Sequence, residues 1–326
     1  MNGPRTSRWL PLSVLVAVLF GAWGALIEIP EKHFQPGFPA TLGYVVWSLT
    51  MLPCAAVALR RAGWRLDRDR RAMGLGLLVG LLGAGGQLAV FRALQNGPAY
   101  LVFPILSLSP VVTVVLSAWL LRERTHRLAA LGVALSVPAF PLLAAQPVDA
   151  QQPAGGYAWL AGALAGLLMW GAQAYLIKAS SVALSAESLF AYMAVAAVVL
   201  APVAWWMTDT AAAINWGLSG PYATALIQSL NSVGALLSIY ALRAGKALVV
   251  APTINGLFPG ITVVLSLVIY ARVPGRWNAL GMVLALVSVA LMSYGEALAG
   301  GASALEPPPA ASHVPDDRGA ERAARV

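Results

Sequence analysis

The amino-acid sequence predicts an all-α polytopic membrane protein with ten transmembrane helices, arranged as two five-helix repeats of inverted topology. Of its 326 residues, 59% are hydrophobic and 10% are charged, whereas soluble domains carry about 25% charged residues. The apolar residues fall into ten long runs, and stretches of the second half repeat stretches of the first half. A soluble globular fold is excluded, because so few charges cannot cover its surface.

Ten apolar runs are long enough to cross a bilayer, which takes about 20 residues. The first run follows Arg5 and Arg8 and resembles a signal peptide, but it takes part in the internal repeat and is counted as a retained span. Residues 1–9 are expected to form a cytoplasmic N-terminus, and residues 299–326 a disordered cytoplasmic tail. The predicted spans lie near residues 10–28, 38–59, 72–94, 98–121, 127–144, 157–177, 186–207, 220–242, 247–270 and 276–298.

Lysine and arginine are distributed unequally between alternate loops. If the N-terminus is cytoplasmic, 17 of these 21 residues lie inside, and only Lys32, Arg92, Arg272 and Arg276 lie outside. Because cytoplasmic loops are enriched in basic residues, we expect both termini to lie in the cytoplasm. We expect the protein to be a multi-pass protein of the plasma membrane, which is the inner membrane in a bacterium. The net charge of +8 is explained by this orientation, so no nucleic-acid partner is predicted.

The two halves of the chain share short segments in the same order. Residues 110–132 match residues 259–281 at 10 of 23 positions, including the run Thr-Val-Val-Leu-Ser, and Trp23-Gly24 recurs as Trp170-Gly171. Five spans per half is an odd number, so the second half enters the membrane from the opposite side, as in many secondary transporters. The predicted organisation is a first repeat at 10–144, a linker at 145–156 and a second repeat at 157–298.

Several of these motifs occur together in a known group of carriers. A Trp-Gly pair followed by Lys in the first helix of each half, prolines in the fourth and ninth helices, and Glu123-Arg124 followed by Arg127 and Gly132 resemble the drug/metabolite transporter superfamily. Within it the chain looks most like the EamA-like transporter family, over about residues 12–297. The resemblance implies a small-molecule carrier, often an exporter, of amino acids or similar metabolites.

Polar side chains inside a bilayer are costly, so they are candidates for a substrate site. The deep ones are uncharged amides, several of them beside an aromatic residue on one helix face. Such a set would hydrogen-bond a polar, partly apolar solute. Alternatively, each amide joins two helices, which contributes only about 1 kcal/mol. The predicted binding residues are Trp23, Gln87, Phe91, Ser107, Trp170, Gln173, Gln228, Asn231 and Asn255.

Charged residues near the ends of spans are candidates for coupling or gating. A partly buried Glu28 would bind and release a proton, or it pairs at the outer surface with Lys32, four residues further on. Arg92 would meet an anionic group or Glu28. Lys178, at the matching place in the sixth helix, either reaches the inner headgroups or contacts the ligand.

Prolines occur at matching positions in the fourth and ninth helices. Pro104 and Pro110 correspond to Pro252 and Pro259. Proline removes a backbone donor, so matched breaks in both halves would turn backbone groups toward a cavity. The alternative is a packing kink without ligand contact.

The sequence therefore predicts a secondary transporter, with a small-molecule substrate and the lipid bilayer as partners and a homodimer as a possibility. The Gly-x-Ser-Gly string at 217–220 lacks a nearby histidine base, so no enzyme is predicted. One cysteine and three histidines offer no metal site, and no cofactor is expected. The alternatives are a membrane scaffold or receptor without transport activity, or a multidrug- or sugar-type carrier of the same fold.

Overall fold

The computed structural model describes residues 9–120, 122, 125–144, 157–180, 184–244, 247–271 and 273–303. Over these ranges the secondary structure is helical and contains no strand. A π-helical turn at Leu218–Tyr222 precedes the tenth helix of the chain. The α-helices are α1 Trp9–Leu26, α2 Ile29–Lys32, α3 Ala40–Arg61, α4 Arg70–Asn96, α5 Ala99–Ser107, α6 Pro110–Leu120, α7 Arg127–Ala144, α8 Ala158–Ser180, α9 Ala186–Trp206, α10 Ala223–Ala244, α11 Ala247–Ile269 and α12 Arg276–Ser303.

The helices account for all ten predicted spans. Within the described ranges, nine helical segments are long and apolar enough to cross a membrane, and Thr253–Ile269 of α11 is a shorter apolar helix. The first predicted span consists of α1 and α2, and the fourth consists of α5 and α6. The predicted class, an all-α polytopic membrane protein, is confirmed. The predicted linker at 145–156 and nearly all of the predicted tail lie outside the described residues.

The fourth span is broken where the prolines predict a break, but the ninth is not. Between α5 and α6, the backbone N–H groups of Leu108 and Ser109 bond to carbonyls only three residues back, at 3.1 and 3.0 Å. By contrast, α11 continues through Pro252 and Pro259, so the predicted matched break is wrong for the second half. The two prolines are seven residues apart there, close to two helical turns, so they lie on the same face of α11.

Each half of the chain packs mainly on the other half. The first helix of the first half, α1, lies against α10 and α11, and the first helix of the second half, α8, lies against α4, α5 and α6. Helix α3 contacts α9 and α10, α9 contacts α3 and α4, and α7 pairs with α12. If each span is replaced by the corresponding span of the other half, the same helix–helix contacts result; the contact of α1 with α10, for example, becomes the contact of α8 with α4. That invariance is what an inverted repeat with a two-fold pseudo-symmetry axis requires.

The repeated threonine in each half fastens these cross-half contacts. The hydroxyl of Thr113 donates to the carbonyl of Gly171 at 3.0 Å, and the hydroxyl of Thr262 donates to the carbonyl of Gly21 at 3.2 Å. A methyl group at Gly21 would lie 2.4 Å from Ile261, and one at Gly171 would lie 2.4 Å from Val112. Glycine is therefore needed where each first helix meets the opposite half. We call these two contacts the glycine–threonine contacts.

Helices α7 and α12 cross through a second symmetric pair of glycines. A methyl group at Gly132 would lie 2.7 Å from Cγ of Met292, and one at Gly281 would lie 2.9 Å from the backbone nitrogen of Leu143. Gly132 corresponds to Gly281, and Leu143 corresponds to Met292, each by a shift of 149 positions. The hydroxyl of Ser288 also donates to the carbonyl of Gly132 at 2.6 Å. The crossing thus depends on close backbone approach.

The basic loop between α3 and α4 is attached to the start of α9. The carboxylate of Asp67 accepts hydrogen bonds from the backbone N–H and the hydroxyl of Ser185, at 2.8 and 2.7 Å. These bonds lower the pKa of Asp67 below its usual value, because they favour the charged carboxylate. The backbone N–H of Asp67 donates to the hydroxyl of Ser188 at 3.0 Å. The loop thereby joins the two halves at the end predicted to face the cytoplasm.

Enlarging Gly132 is expected to destabilise the fold. Gly132→Leu forces α7 away from α12, and overpacking of this kind costs about 1–3 kcal/mol. Gly74→Leu is the matched control, because nothing lies within 4 Å of a methyl group placed there. The free energy of unfolding, measured by titrating SDS into mixed micelles, should fall for Gly132→Leu and stay near the wild-type value for Gly74→Leu. Equal stabilities of the two variants would contradict the close crossing.

Candidate functional site

Two indole–amide pairs join the halves inside the membrane. The indole nitrogen of Trp23 on α1 donates to Oε1 of Gln228 at 2.8 Å, and the indole nitrogen of Trp47 on α3 donates to Oδ1 of Asn231 at 2.9 Å. Both amides lie on α10, three residues apart and therefore on one face. The ring of Phe103 on α5 meets the ring of Trp23 edge-on, with centroids 5.5 Å apart. We call these five residues the indole–amide cluster.

A third amide lies on α4. Gln87 is only 3% exposed, and its Nε2 atom has no hydrogen-bond partner among the described residues. Phe91, one turn further along the helix, is fully buried and meets Tyr44 edge-on at 6.2 Å between ring centroids. The hydroxyl of Tyr44 donates to the carbonyl of Ala197 on α9 at 3.2 Å. Gln87 is thus a buried donor with aromatic rings beside it.

Helix α8 repeats the arrangement of α1 in the other half. The indole nitrogen of Trp170, the counterpart of Trp23, donates to the carbonyl of Gly83 on α4 at 3.2 Å. The amide of Gln173 lies directly against Gly83, where a methyl group would overlap it. In both halves, therefore, the tryptophan of the first helix bonds to the third helix of the opposite half. The acceptor is a side-chain amide in one case and a backbone carbonyl in the other.

The remaining predicted binding residues lie at the prolines of the fourth and ninth spans. Ser107 is buried, and its hydroxyl donates to the carbonyl of Pro104 at 2.7 Å. Its counterpart, Asn255 on α11, is exposed. The backbone of Pro252 is part of α11, but its side chain lies outside the described residues. Neither Ser107 nor Asn255 has a hydrogen bond to the indole–amide cluster among the described residues.

The predicted gating residues are partly brought together. Oε1 of Glu28, which is 5% exposed, accepts from Nζ of Lys32 at 2.9 Å and from the backbone N–H of Ala99, the first residue of α5, at 2.6 Å. Lys32 also donates to the carbonyl of Gly97 at 2.8 Å. The expected pair of Glu28 and Lys32 is present, with Glu28 buried and the side chain of Lys32 23% exposed. It fastens the junction of α1 and α2 to the start of α5.

The other charged candidates lie apart from this pair. The guanidinium of Arg92 is exposed and donates to Oε1 of Gln95 at 2.6 Å, so the expected contact with Glu28 is not formed. The side chain of Lys178 lies outside the described residues. Among the described residues, no group of histidine, cysteine, aspartate and glutamate side chains is suited to bind a metal ion.

Counterpart positions of the two repeats are unequally buried. Trp23, Ile27 and Pro30 are buried at the end of α1 predicted to face outside, whereas their counterparts Trp170, Ala174 and Ile177 on α8 are half-buried or exposed. In the same way, every residue of α5 except Tyr100 is buried, but Asn255 on the matching part of α11 is exposed. The described counterpart residues therefore differ in burial, and the more exposed ones lie on the side of the bundle that is predicted to face the cytoplasm.

Comparison with known proteins finds a family that the first part of the chain resembles. Residues 7–144 match the model of the EamA-like transporter family. The matched segment corresponds to the first predicted repeat and covers fewer than half of the 326 residues. The resemblance to EamA-like members of the drug/metabolite transporter superfamily is confirmed over this segment, and the apolar helices support a multi-pass membrane protein. No curated protein matches the sequence.

A solved structure shares the fold. A crystal structure described only as that of a protein superposes on this chain with a TM-score of 0.58 and 16% sequence identity. The match covers 86% of this chain and 96% of the other. At this identity the similarity establishes the fold alone. Because the match spans most of both chains, the EamA-like segment and the second half together form the shared architecture.

The sequence did not reveal which residues pair with the amides. Trp47, Phe103, Thr113 and Thr262 were not among the predicted site residues, although the repeated Thr-Val-Val-Leu-Ser run contains both threonines. Comparing the two halves position by position would have found the threonines, because identical polar residues kept inside two apolar spans point to a shared contact. Trp47 is recognisable from the sequence as a tryptophan deep within its apolar run, where it could stack on a ligand. No comparable signal exists for Phe103.

Removing one member of an indole–amide pair is expected to lower the free energy of unfolding, because the other member stays buried without its hydrogen-bond partner. Gln228→Leu leaves the buried indole N–H of Trp23 without an acceptor, which costs about 1–3 kcal/mol. Combining it with Trp23→Phe removes both partners. The double variant should therefore lose less stability than the sum of the losses of the two single variants, by about 1 kcal/mol. SDS-induced unfolding of the wild type, both single variants and the double variant measures this coupling. Strict additivity would show that the hydrogen bond does not contribute to stability.

Proposed function

We propose that this protein is a secondary transporter that moves small polar metabolites, such as amino acids or related compounds, across the plasma membrane by alternating access. We propose that the substrate site consists of the indole–amide cluster and Gln87, and that the direction of transport is export. The EamA-like match supports a carrier. The site is supported by three amides from both halves, two of them buried (Gln87 and Gln228) and one partly buried (Asn231), with aromatic residues as partners or helix neighbours.

The unequal burial of counterpart residues is the observation on which the mechanism depends. In an inverted repeat, a state that is open at one end implies a second state in which the halves exchange conformations and the other end opens. Ser107 is buried whereas Asn255 is exposed. The proposed outward-open state reverses this difference. The present structure then corresponds to the state open to the cytoplasm.

Opening the outer end requires only a few polar contacts to break. The bonds from Lys32 and Ala99 hold the junction of α1 and α2 against the start of α5, and the hydroxyls of Thr41 and Thr208 bond at 2.7 Å between α3 and the end of α9. Each such bond contributes about 1 kcal/mol net. The glycine–threonine contacts lie within α1–α11 and α8–α6, and they can persist through the movement. Glu28 and Lys32 are thus proposed to act as gating residues.

The accessibility of two counterpart positions tests alternating access and orientation together. In a Cys54→Ser background, Asn255→Cys should react with a membrane-impermeant maleimide added from the cytoplasmic side, because Asn255 is exposed at the predicted inner end. Ser107→Cys should be protected in this state and become reactive from the outside when an outwardly directed solute gradient drives turnover. Reaction of Asn255→Cys only from outside would reverse the orientation, and a Ser107→Cys that never reacts would contradict alternating access.

Solute exchange by the purified protein tests the carrier function directly. Liposomes that contain the protein and are loaded with one unlabelled solute should accumulate the same labelled solute, whereas protein-free liposomes should not. The panel comprises amino acids, nucleosides, sugars and polyamines. Exchange should be at least about tenfold above the protein-free rate for one chemical class, because a solute bound with micromolar affinity occupies the site at millimolar concentration. Folded protein that exchanges no member of the panel would count against a carrier of small metabolites.

A further inference from the structure

Gln87, a member of the proposed site, carries one of the buried polar atoms that have no hydrogen-bond partner among the described residues. It is 97% removed from solvent, since only 3% of the residue is exposed, and its Nε2 atom meets no acceptor in the described part of the chain. Leaving a buried donor unpaired destabilises a fold. Native structures satisfy such groups with protein, an ordered water or a ligand. A ligand atom that accepts this hydrogen bond would satisfy Nε2 of Gln87.

The other two amides of the proposed site each have an indole as partner. The oxygen of Gln228 accepts from Trp23, and the oxygen of Asn231 accepts from Trp47. Among these three amides, the unpaired donor in the described part of the chain is Nε2 of Gln87. An amide NH₂ group donates hydrogen bonds only. Gln87 therefore favours a solute that accepts a hydrogen bond.

Aromatic rings lie on both sides of Gln87 along α4. Phe91 is one turn later and packs against Tyr44, and Trp170 bonds to the carbonyl of Gly83, one turn earlier. Glycines at 83 and 86 let the indole of Trp170 approach the backbone, because a methyl group at Gly86 would lie 2.5 Å from its Cδ1 atom. Edge-on and offset contacts with such rings favour a flat aromatic solute.

Within the described ranges, the side chains named for this site are electrically neutral. Glu28 and Lys32 bind each other at 2.9 Å near the outer end, and Arg92 is exposed and held by Gln95. The amides, indoles and phenyl rings named above carry no charge. Moving a net charge among them would be unfavourable, because none of these described side chains supplies an opposite charge to compensate for its lost hydration.

We propose that the site binds an aromatic solute without net charge whose carbonyl oxygen accepts a hydrogen bond from Nε2 of Gln87. This inference rests on the proposed transport function and narrows its substrate class. Gln87 thereby becomes the residue that selects for an acceptor oxygen. The surrounding rings select for a flat ring system.

Three small probes that share one ring separate charge from shape. Benzamide is neutral and carries a carbonyl oxygen, whereas benzoate is an anion and benzylamine a cation near neutral pH. Their dissociation constants for the full-length purified protein are measured by ligand-observed NMR titration. Benzamide should bind at least about tenfold more tightly than benzoate or benzylamine, since the charged probes lose hydration without compensation. Equal or tighter binding of a charged probe would overturn the proposal.

Two substitutions at Gln87 and one control locate the interaction. Gln87→Leu should weaken benzamide binding about tenfold, because the donor is lost. Gln95→Leu is the matched control on the same helix and should leave binding unchanged, since Gln95 bonds to the exposed Arg92. Gln87→Glu should lose benzamide and gain benzylamine, because a carboxylate pairs with the ammonium group. A gain of binding also demonstrates that this variant is folded.

Three results would contradict the proposal. Unchanged benzamide binding by Gln87→Leu, or no benzylamine binding by Gln87→Glu, would show that Gln87 does not contact the solute. Absence of binding by all three probes would refute a neutral aromatic substrate class. The exchange assay on the solute panel does not depend on these probes, so a protein that transports a charged or non-aromatic solute would retain the proposed function and lose only this inference.

Discussion

The packing of each first helix against the opposite half is the constraint on which the rest of this structure depends. In a bilayer, helices gain little from burying apolar side chains, because lipid is equally apolar, so close contact and hydrogen bonds must hold them together. The glycine–threonine contacts supply both, since a threonine hydroxyl reaches a backbone carbonyl only where glycines let the helices approach. Because α1 and α8 each pack against the opposite half, Trp23 of α1 lies against α10 and Trp170 of α8 lies against α4.

The ten spans and their repeat could be predicted because they follow from local composition and from similarity between the halves. Hydropathy fixes where a helix crosses the membrane, and the shared Thr-Val-Val-Leu-Ser run fixes the alignment of the halves. The break before Pro110 was also predictable from the proline itself. The continuity of α11 through Pro259 was not, because it depends on how neighbouring turns and packed helices accommodate a missing N–H group.

The site was predictable in its residue types but not in its pairings. Buried amides in apolar runs stand out in any sequence, and Gln87, Gln228 and Asn231 all lie in helices that contact the other half. Their hydrogen bonds, however, join Trp23 to Gln228 across 205 positions and Trp47 to Asn231 across 184 positions. Helical periodicity carries no information over such distances. Only the assembled fold distinguishes amides whose oxygens hold indoles from Gln87, whose nitrogen holds nothing in the described structure.

The unequal spacing of the prolines makes the two repeats energetically different. Pro104 and Pro110 are six residues apart, whereas Pro252 and Pro259 are seven apart, and only the shorter spacing coincides with a broken helix. If the repeats exchange conformations during transport, the broken and continuous spans then bear unequal strain in the two states. A difference of only about 1.4 kcal/mol would populate one state tenfold over the other. In the transport cycle proposed above, one extra residue in the ninth span would then be enough to set the side of the membrane toward which the empty protein rests.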